Sequence, residues 1–206
     1  MPVAPLKSTA ASMRSLAIFA AILALAACQK APQSQQLSNQ ANEAAQASSA
    51  AGEVKGVDRS HKGKPTPDVS FKDPDGEETN LAEFSGKPVL VNLWATWCAP
   101  CVKELPTLDR LKGSQPANGL QVAAISQDNA PHASVVAFLE AHKIQNLDAY
   151  QDANMDLSAK AGAEVLPTSI LYDASGREVW RYVGDLDWTS PEAAKLLAEA
   201  GAPQKH

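Results

Sequence analysis

The chain has 206 residues, 45% of them hydrophobic, and a formal net charge of −5. This length fits one ordinary domain with additional segments, or two small domains, and the hydrophobic content is sufficient for a packed core. Basic residues are mixed with acidic ones and form no cluster of the kind that binds nucleic acid, so we expect no nucleic-acid partner. The four histidines are scattered, and none has a metal-ligand spacing to a cysteine or to another histidine.

The first 27 residues have the pattern of a secretory signal peptide. Lys7 and Arg14 supply positive charge, and the apolar run LAIFAAILALAA follows over residues 16–27. This run is too short for a transmembrane helix, which needs about 20 apolar residues. A positive start, a short apolar run and small residues at its end therefore predict that residues 1–27 direct export and are removed.

The end of that run carries a more specific pattern. The sequence LAAC, which ends at Cys28, resembles the lipobox of bacterial lipoproteins, in which the cysteine is acylated and becomes the first mature residue. The resemblance implies a lipid anchor at Cys28 that holds the protein to a membrane of the cell envelope. Because Gln29 rather than an aspartate follows, the resemblance favours the outer membrane over the inner one. The alternative is a plain signal peptide with an incidental cysteine.

Residues 28–64 are rich in Gln, Ala, Ser, Asn and Gly, and large apolar side chains are nearly absent from them. Such a segment cannot bury enough apolar surface to offset the entropy lost on ordering. The composition therefore predicts a flexible tether between the anchor and a folded head. A partly helical arm over residues 42–51 is the alternative.

Residues 65–202 alternate short β-rich runs with helical patterns, which predicts an α/β domain. The run PVLVNLW over residues 88–94 predicts a central strand that is buried on both faces. A helix is predicted from about Cys98, with a kink at Pro106, and the last helix is predicted to begin at Ser190, which can cap it. Further strands are predicted at residues 120–126, 168–172 and 178–183.

The motif with the strongest chemical implication is WATWCAPC, over residues 94–101. It places Cys98 and Cys101 directly after a buried strand and at the start of a helix. The helix N-terminus stabilises a thiolate through its positive partial charge and its unpaired N–H groups, and the thiolate is the nucleophile. At this spacing one cysteine can attack a partner's disulfide, and the other can then resolve the mixed disulfide. The motif therefore predicts thiol–disulfide exchange.

The wider segment GKPVLVNLWATWCAPCVKELP, over residues 86–106, resembles the membrane-associated thioredoxin-like reductases of bacteria. These form the TlpA/ResA group, which includes the cytochrome c maturation reductases, and the resemblance extends from about residue 65 to residue 184. It implies a thioredoxin fold, in which helices flank a central mixed sheet. An N-terminal β-hairpin and a helix–strand insertion at about residues 131–150 are expected additions to that fold.

The resemblance also implies roles for individual residues. Cys98 matches the attacking cysteine, and Cys101 matches the resolving one. Pro167, in the sequence VLPTS, matches a cis-proline that faces the active site, and the backbone of Leu166 just before it would pair with the substrate chain. Glu104 matches a glutamate, one turn after the second cysteine, that tunes thiol protonation in the cytochrome c maturation members.

Two residues of the motif region are less specific. Trp97 either contacts substrates at the active-site surface or has a purely structural role. Asn92 stands where plain thioredoxin has a buried aspartate, six residues before the first cysteine. Because an amide cannot exchange a proton in the way a carboxyl can, this departure places the expected acid–base role on Glu104.

The function implied is reduction of disulfides in envelope proteins, with cytochrome c maturation as one setting and a membrane protein as the electron donor. No cofactor and no metal are expected, because a structural zinc site needs four ligands and no second cysteine pair is present. The alternatives are a disulfide-donating oxidase, a Cu(I)-binding module and a peroxide-reducing redoxin. The last of these needs a threonine three residues before the reactive cysteine, where this chain has Ala95.

Overall fold

The structure is a computed structural model that describes residues 55–114 and 119–201. The predicted signal peptide, the predicted acylation site Cys28 and the tether as far as residue 54 lie outside the described residues. Within the described ranges, no helix is both long enough and apolar enough to cross a membrane.

An eight-stranded mixed sheet is the centre of the fold, with the strand order β1-β8-β7-β4-β5-β6-β2-β3. Strands β4, β5 and β6 run parallel to one another, whereas the other neighbouring strands are antiparallel. The strands are β1 Gly56–Asp58, β2 Ser70–Lys72, β3 Glu78–Asn80, β4 Val89–Trp94, β5 Gln121–Ser126, β6 Tyr150–Gln151, β7 Thr168–Tyr172 and β8 Glu178–Val183.

Within the described residues four α-helices accompany the sheet, and the last of them has a start that follows from local sequence. At α4 (Pro191–Leu197), the Ser190 hydroxyl oxygen accepts a hydrogen bond from the Ala193 N–H at 3.1 Å, and Pro191 occupies the first turn, where its missing N–H costs nothing. The helices are α1 Ala99–Gly113, α2 His132–Ala141, α3 Asp156–Ala161 and α4 Pro191–Leu197; two short 3-10 helices are Leu81–Phe84 and Ala198–Gly201.

The hydrophobic core lies on both faces of β4, all six residues of which are buried. On one face Leu90 and Trp94 belong to a cluster that includes Leu105 of α1. On the other face Leu93 belongs to a second cluster, which includes Leu157 of α3. The continuous apolar run of β4 is therefore what a strand covered on both sides requires.

The predicted thioredoxin fold, with a central mixed sheet flanked by helices, is confirmed. Strands β2 and β3 form the expected N-terminal hairpin, with Ser70 opposite Asn80. The expected insertion consists of α2 and β6, and β6 joins the sheet between β5 and β2. The hairpin of β7 and β8 has the predicted bounds at both strands.

The folded part starts earlier than the predicted boundary at residue 65. Strand β1 pairs with β8, with Gly56 opposite Val183, and the Gly63 N–H donates a hydrogen bond to the Glu178 carbonyl at 2.7 Å. Val57 is partly buried against the larger core cluster. Composition could not reveal this strand, because it is held mainly by backbone hydrogen bonds to the edge of β8. Residues 55–64 therefore belong to the domain and not to the tether.

Candidate functional site

Cys98 and Cys101 form a disulfide at the N-terminus of α1, with a Cα–Cα distance of 5.2 Å. Cys98 is the N-cap residue, and its sulfur accepts a hydrogen bond from the Cys101 N–H at 3.3 Å. Cys98 retains 7% exposure, whereas Cys101 is fully buried. An incoming disulfide can therefore reach only the first sulfur, and the helix N-terminus would stabilise the thiolate that forms there.

The peptide bond between Leu166 and Pro167 is cis and lies just before β7. The Pro167 carbonyl accepts a hydrogen bond from the N–H of Gly184, which directly follows β8, at 2.9 Å, and this contact holds Pro167 in place. Leu166 and Pro167 share a cavity of about 180 Å³ with Pro100 of the cysteine motif. The cavity is completed by Lys55, Val165, Val183, Gly184 and Asp185. The structure thus brings the two distant predicted segments to one groove.

Trp97 directly precedes the reactive cysteine and is 66% exposed. Val165, on the segment before the cis peptide bond, is also an exposed hydrophobic residue. Apolar surface that is exposed beside a reactive cysteine can be covered when a partner protein docks. The surface around the groove therefore offers apolar contacts next to the cysteine pair.

Glu104 lies on α1 one turn after Cys101 and is 2% exposed. Its Oε1 accepts a hydrogen bond from Asn92 Nδ2 at 2.7 Å, and its Oε2 accepts from the Leu186 N–H at 3.1 Å and from the Trp188 indole N–H at 3.2 Å. Burial raises the pKa of Glu104 to about 7, against the effect of these three donors. Near neutral pH this carboxyl group can therefore gain or lose a proton.

The Asn92 side chain connects β4 to α1 and to β7 by hydrogen bonds. Besides donating to Glu104, its Nδ2 donates to the Ser169 hydroxyl at 2.9 Å. Its Oδ1 is buried and has no hydrogen-bond partner within the described part of the chain. Asn92 is therefore a donor to the buried acid and not a proton carrier, which agrees with the interpretation of its amide from the sequence.

Three contributors to the site, Asp185, Leu186 and Trp188, belong to no recognisable pattern in the sequence. Leu186 and Trp188 lie after β8, and the chain there returns to α1, where both donate hydrogen bonds to Glu104. Asp185 borders the groove and accepts hydrogen bonds from Lys55 at 2.7 Å and Lys103 at 2.9 Å. These two ammonium groups lower the pKa of Asp185 to about 2.

Residues 55–114 and 119–201 contain no group of three or more His, Cys, Asp or Glu side chains that could hold a metal ion. The residues gathered at the described site are two cysteines, one buried acid and the surrounding apolar side chains.

A comparison with known protein families matches residues 61–197 to the Redoxin model. The chain belongs to the Redoxin family. The match includes both cysteines, Glu104 and the segment around Pro167.

Individual relatives define the branch of the family. The chain is 31% identical over 123 residues to the thiol-disulfide oxidoreductase ResA of Bacillus thuringiensis (strain Al Hakam), covering 60% of this chain and 70% of that protein. It is 33% identical over 140 residues to the thiol:disulfide interchange protein DsbE of Pseudomonas fluorescens, covering 66% of this chain and 76% of that protein.

Among solved structures, a candidate thiol:disulfide interchange protein DsbE from Chlorobium tepidum superposes with a TM-score of 0.59 at 25% identity, covering 68% of this chain and 98% of the other. StoA from Bacillus subtilis shares the fold, with a TM-score of 0.53 at 22% identity, covering 66% of this chain and all of the other. Together with the Cys98–Cys101 disulfide, these relatives confirm that this redoxin is a thiol:disulfide oxidoreductase of the ResA/DsbE type.

Proposed function

We propose that this oxidoreductase is an exported reductase of disulfides in envelope proteins, tethered to a membrane through an acylated Cys28. The observation that carries the catalytic part is the unequal exposure of the cysteine pair at the start of α1, with Cys98 accessible and Cys101 buried. One sulfur can meet a partner while the other is reserved for resolution. The anchor rests on the lipobox-like sequence that ends at Cys28.

The reaction starts from the reduced pair. The Cys98 thiolate attacks one sulfur of a substrate disulfide, forming a mixed disulfide and releasing the other substrate sulfur as a thiolate. Cys101 then loses its proton and attacks the Cys98 sulfur, which releases the second substrate thiolate and leaves the Cys98–Cys101 disulfide. Two electrons pass to the substrate, whose two thiolates take up two protons.

Glu104 is the group we assign to the proton of Cys101. It is buried one helical turn away, and its pKa of about 7 allows it to accept a proton at neutral pH. The Cys101 thiol is itself removed from water, so a nearby acceptor is needed before it can act as a nucleophile. Water exchange after substrate release would then return Glu104 to its starting state.

Substrate binding is assigned to the groove beside Pro167. An extended substrate segment would lie against this groove, with the backbone of Leu166 available to pair with it. Trp97 would also contact the substrate, because its exposed ring directly precedes Cys98 and offers apolar surface. The substrates that we propose are disulfide-containing envelope proteins, with an apocytochrome c as one candidate.

The reduced pair must be regenerated, because the cell envelope of bacteria is an oxidising compartment. A membrane protein that passes electrons from the cytoplasm is the donor we propose. The direction can be tested by equilibrating the Cys98–Cys101 pair in thiol buffers. A reduction potential well below about −200 mV supports a reductase, whereas a value near about −120 mV would make the protein a disulfide donor.

The anchor has a separate test. Mass spectrometry of the mature protein, purified from membranes of the producing bacterium, should find acylated Cys28 as the first residue. A Cys28→Ser variant should be lost from the membrane fraction, since no other lipid attachment is proposed. An unmodified N-terminus at another position would refute the anchor and leave the redox function standing.

A further inference from the structure

A tight turn joins β4 to the reactive cysteine. The Cys98 N–H donates a hydrogen bond to the Ala95 carbonyl at 3.2 Å, so Thr96 and Trp97 form the corner of the turn. The conformation of this corner sets the direction in which the Trp97 ring points from the surface.

The corner is held by Asp128, which lies two residues after the end of β5. Asp128 Oδ2 accepts a hydrogen bond from the Thr96 N–H at 2.9 Å, and Oδ1 accepts one from the Thr96 hydroxyl at 2.7 Å. The Ser126 hydroxyl donates a third hydrogen bond to Oδ2 at 2.7 Å. Because β4 and β5 are parallel, the residues that follow both strands meet at one edge of the sheet.

Asp128 and the residue before it are held by hydrogen bonds to β6 and β4. Its backbone carbonyl accepts a hydrogen bond from Gln151 Nε2 at 2.8 Å, and the preceding Gln127 N–H donates to the Trp94 carbonyl at 2.7 Å. The turn therefore rests against a rigid support made by the ends of three neighbouring strands. Because Asp128 is held in place, a movement of Thr96 would break its two hydrogen bonds to the Asp128 carboxylate.

Asp128 is a buried carboxylate without a basic partner. It is 5% exposed, and no ion pair joins it to a basic side chain in the described part of the chain. Removing a carboxylate from water costs free energy, so the hydrogen bonds from its three donors are what compensate for the burial of Asp128. Two of those donors belong to Thr96, so the main effect of the group is on the turn.

We propose that Asp128 is a positioning residue, which holds Thr96 so that Trp97 faces protein substrates. The proposal rests on the proposed function, in which Trp97 contacts those substrates. Cys98 ends the same turn but has further contacts with α1, where its sulfur accepts a hydrogen bond from the Cys101 N–H and its carbonyl accepts one from the Val102 N–H. Asp128 therefore affects the reaction with protein disulfides, which need the surface around the cysteine, more than the reaction with small disulfides, which need only the sulfur.

The test compares two rate constants for each fully reduced variant, one with insulin and one with hydroxyethyl disulfide. Thr96→Val removes only the hydroxyl donor, Thr96→Ser retains it, and Asp128→Ala removes the acceptor. Asp128→Ala removes the acceptor of both Thr96 hydrogen bonds. We expect it to lower the insulin rate constant at least roughly tenfold, which corresponds to the loss of a single hydrogen bond to a charged group, and to change the other rate constant less than about twofold. Thr96→Val should have the same selective effect to a smaller extent, and Thr96→Ser should restore the rate.

Asp109 supplies the matched control. It is a buried aspartate that holds another loop, accepting backbone hydrogen bonds from Gln145, Asn146 and Leu147. Asp109→Ala should destabilise the domain without changing the ratio of the two rate constants. If Asp109→Ala and Asp128→Ala change that ratio equally, Asp128 stabilises the fold and does not position Trp97, and the proposal is overturned.

A double-mutant cycle with Trp97→Ala separates this proposal from the proposed function. Trp97→Ala should lower the insulin rate constant selectively, and in that background Asp128→Ala should have no further selective effect. If Trp97→Ala lowers the ratio but Asp128→Ala and Thr96→Val do not, the positioning role is wrong and the contact role of Trp97 stands. If Trp97→Ala leaves the ratio unchanged, both the contact role and the inference built on it are wrong.

Discussion

Asn92 donates a hydrogen bond of 2.7 Å to Glu104, and this contact joins β4 to α1 inside the core. Leu186 and Trp188 complete a set of three donors that all point at the Glu104 carboxylate. The site thus favours the ionised acid through hydrogen bonds while burial favours the neutral one, and burial has the larger effect on the pKa. This balance places the titration of Glu104 where its proton can be exchanged in physiological conditions.

The first prediction concerns the pH dependence of stability. Because the pKa of Glu104 is raised from 4.5 to about 7 in the folded protein, its contribution to stability is complete below pH 4.5 and is lost as pH rises to about 7. The loss corresponds to about 3 kcal/mol of unfolding free energy. Glu104→Gln should remove this component, so the free energy of unfolding of the oxidised variant should fall less than that of wild type between these pH values.

Chemical denaturation at a series of pH values measures the difference. Glu192→Gln, which changes an exposed glutamate in the first turn of α4, is the matched control. Parallel curves for wild type and Glu104→Gln would mean that the buried acid does not titrate between pH 4.5 and about 7.

The second prediction concerns Asn92, which donates a hydrogen bond to Glu104. Asn92→Asp would place a second carboxyl group within hydrogen-bond distance of Glu104. Two adjacent buried carboxylates cannot both ionise readily, so the pair should hold one proton at neutral pH and release it only at a higher pH. The variant should therefore lose stability relative to wild type progressively as pH rises above about 7, the pKa of Glu104 in wild type. A loss that is the same at every pH would contradict this prediction.

The third prediction separates the two cysteines. In the reduced protein, iodoacetamide should modify Cys98 faster than Cys101, because Cys98 is at the helix N-cap and retains 7% exposure whereas Cys101 is fully buried. A Cys101→Ala variant should accumulate a mixed disulfide with insulin, visible by non-reducing electrophoresis, since no second thiol can resolve it. Cys98→Ala is the paired variant and should accumulate none. A trapped complex through Cys101 would reverse the assigned roles.

The parts of the molecule that the sequence predicted are those specified by local pattern. Strand β4 is a continuous apolar run, α4 has a cap and a proline at its start, and Cys98 and Cys101 lie together in one short motif. Each pattern is complete within a few residues, so each could be interpreted without knowledge of the fold.

The contacts that the sequence did not predict join segments far apart in the chain. Trp188 lies 84 residues from Glu104, and Asp128 lies 32 residues from Thr96. Strand β1 depends on an edge of β8 that exists only after the sheet has formed. The residues next to Trp188 or Asp128 in the sequence do not indicate which distant residue each one contacts. These contacts could therefore be identified only from the tertiary structure.

The last prediction concerns Trp188, whose indole N–H donates to the buried Glu104 carboxylate at 3.2 Å. Trp188→Phe keeps an aromatic ring and removes this donor, so the ionised form of Glu104 loses one of the hydrogen bonds that lower its pKa. The pKa should rise above about 7, by roughly one pH unit for one such bond. Carbon-13 NMR of the labelled carboxyl group measures the titration directly.

Trp180→Phe is the control for that experiment, because the Trp180 indole N–H is also buried and donates at the same distance, 3.2 Å, to the Leu196 carbonyl. Both variants lose an indole hydrogen bond and leave a similar space in the same core cluster. Only Trp188→Phe removes a donor from Glu104, so only that variant should raise its pKa. An equal rise in both would assign the effect to loosened packing, and no rise in either would show that Trp188 does not control the proton of Glu104.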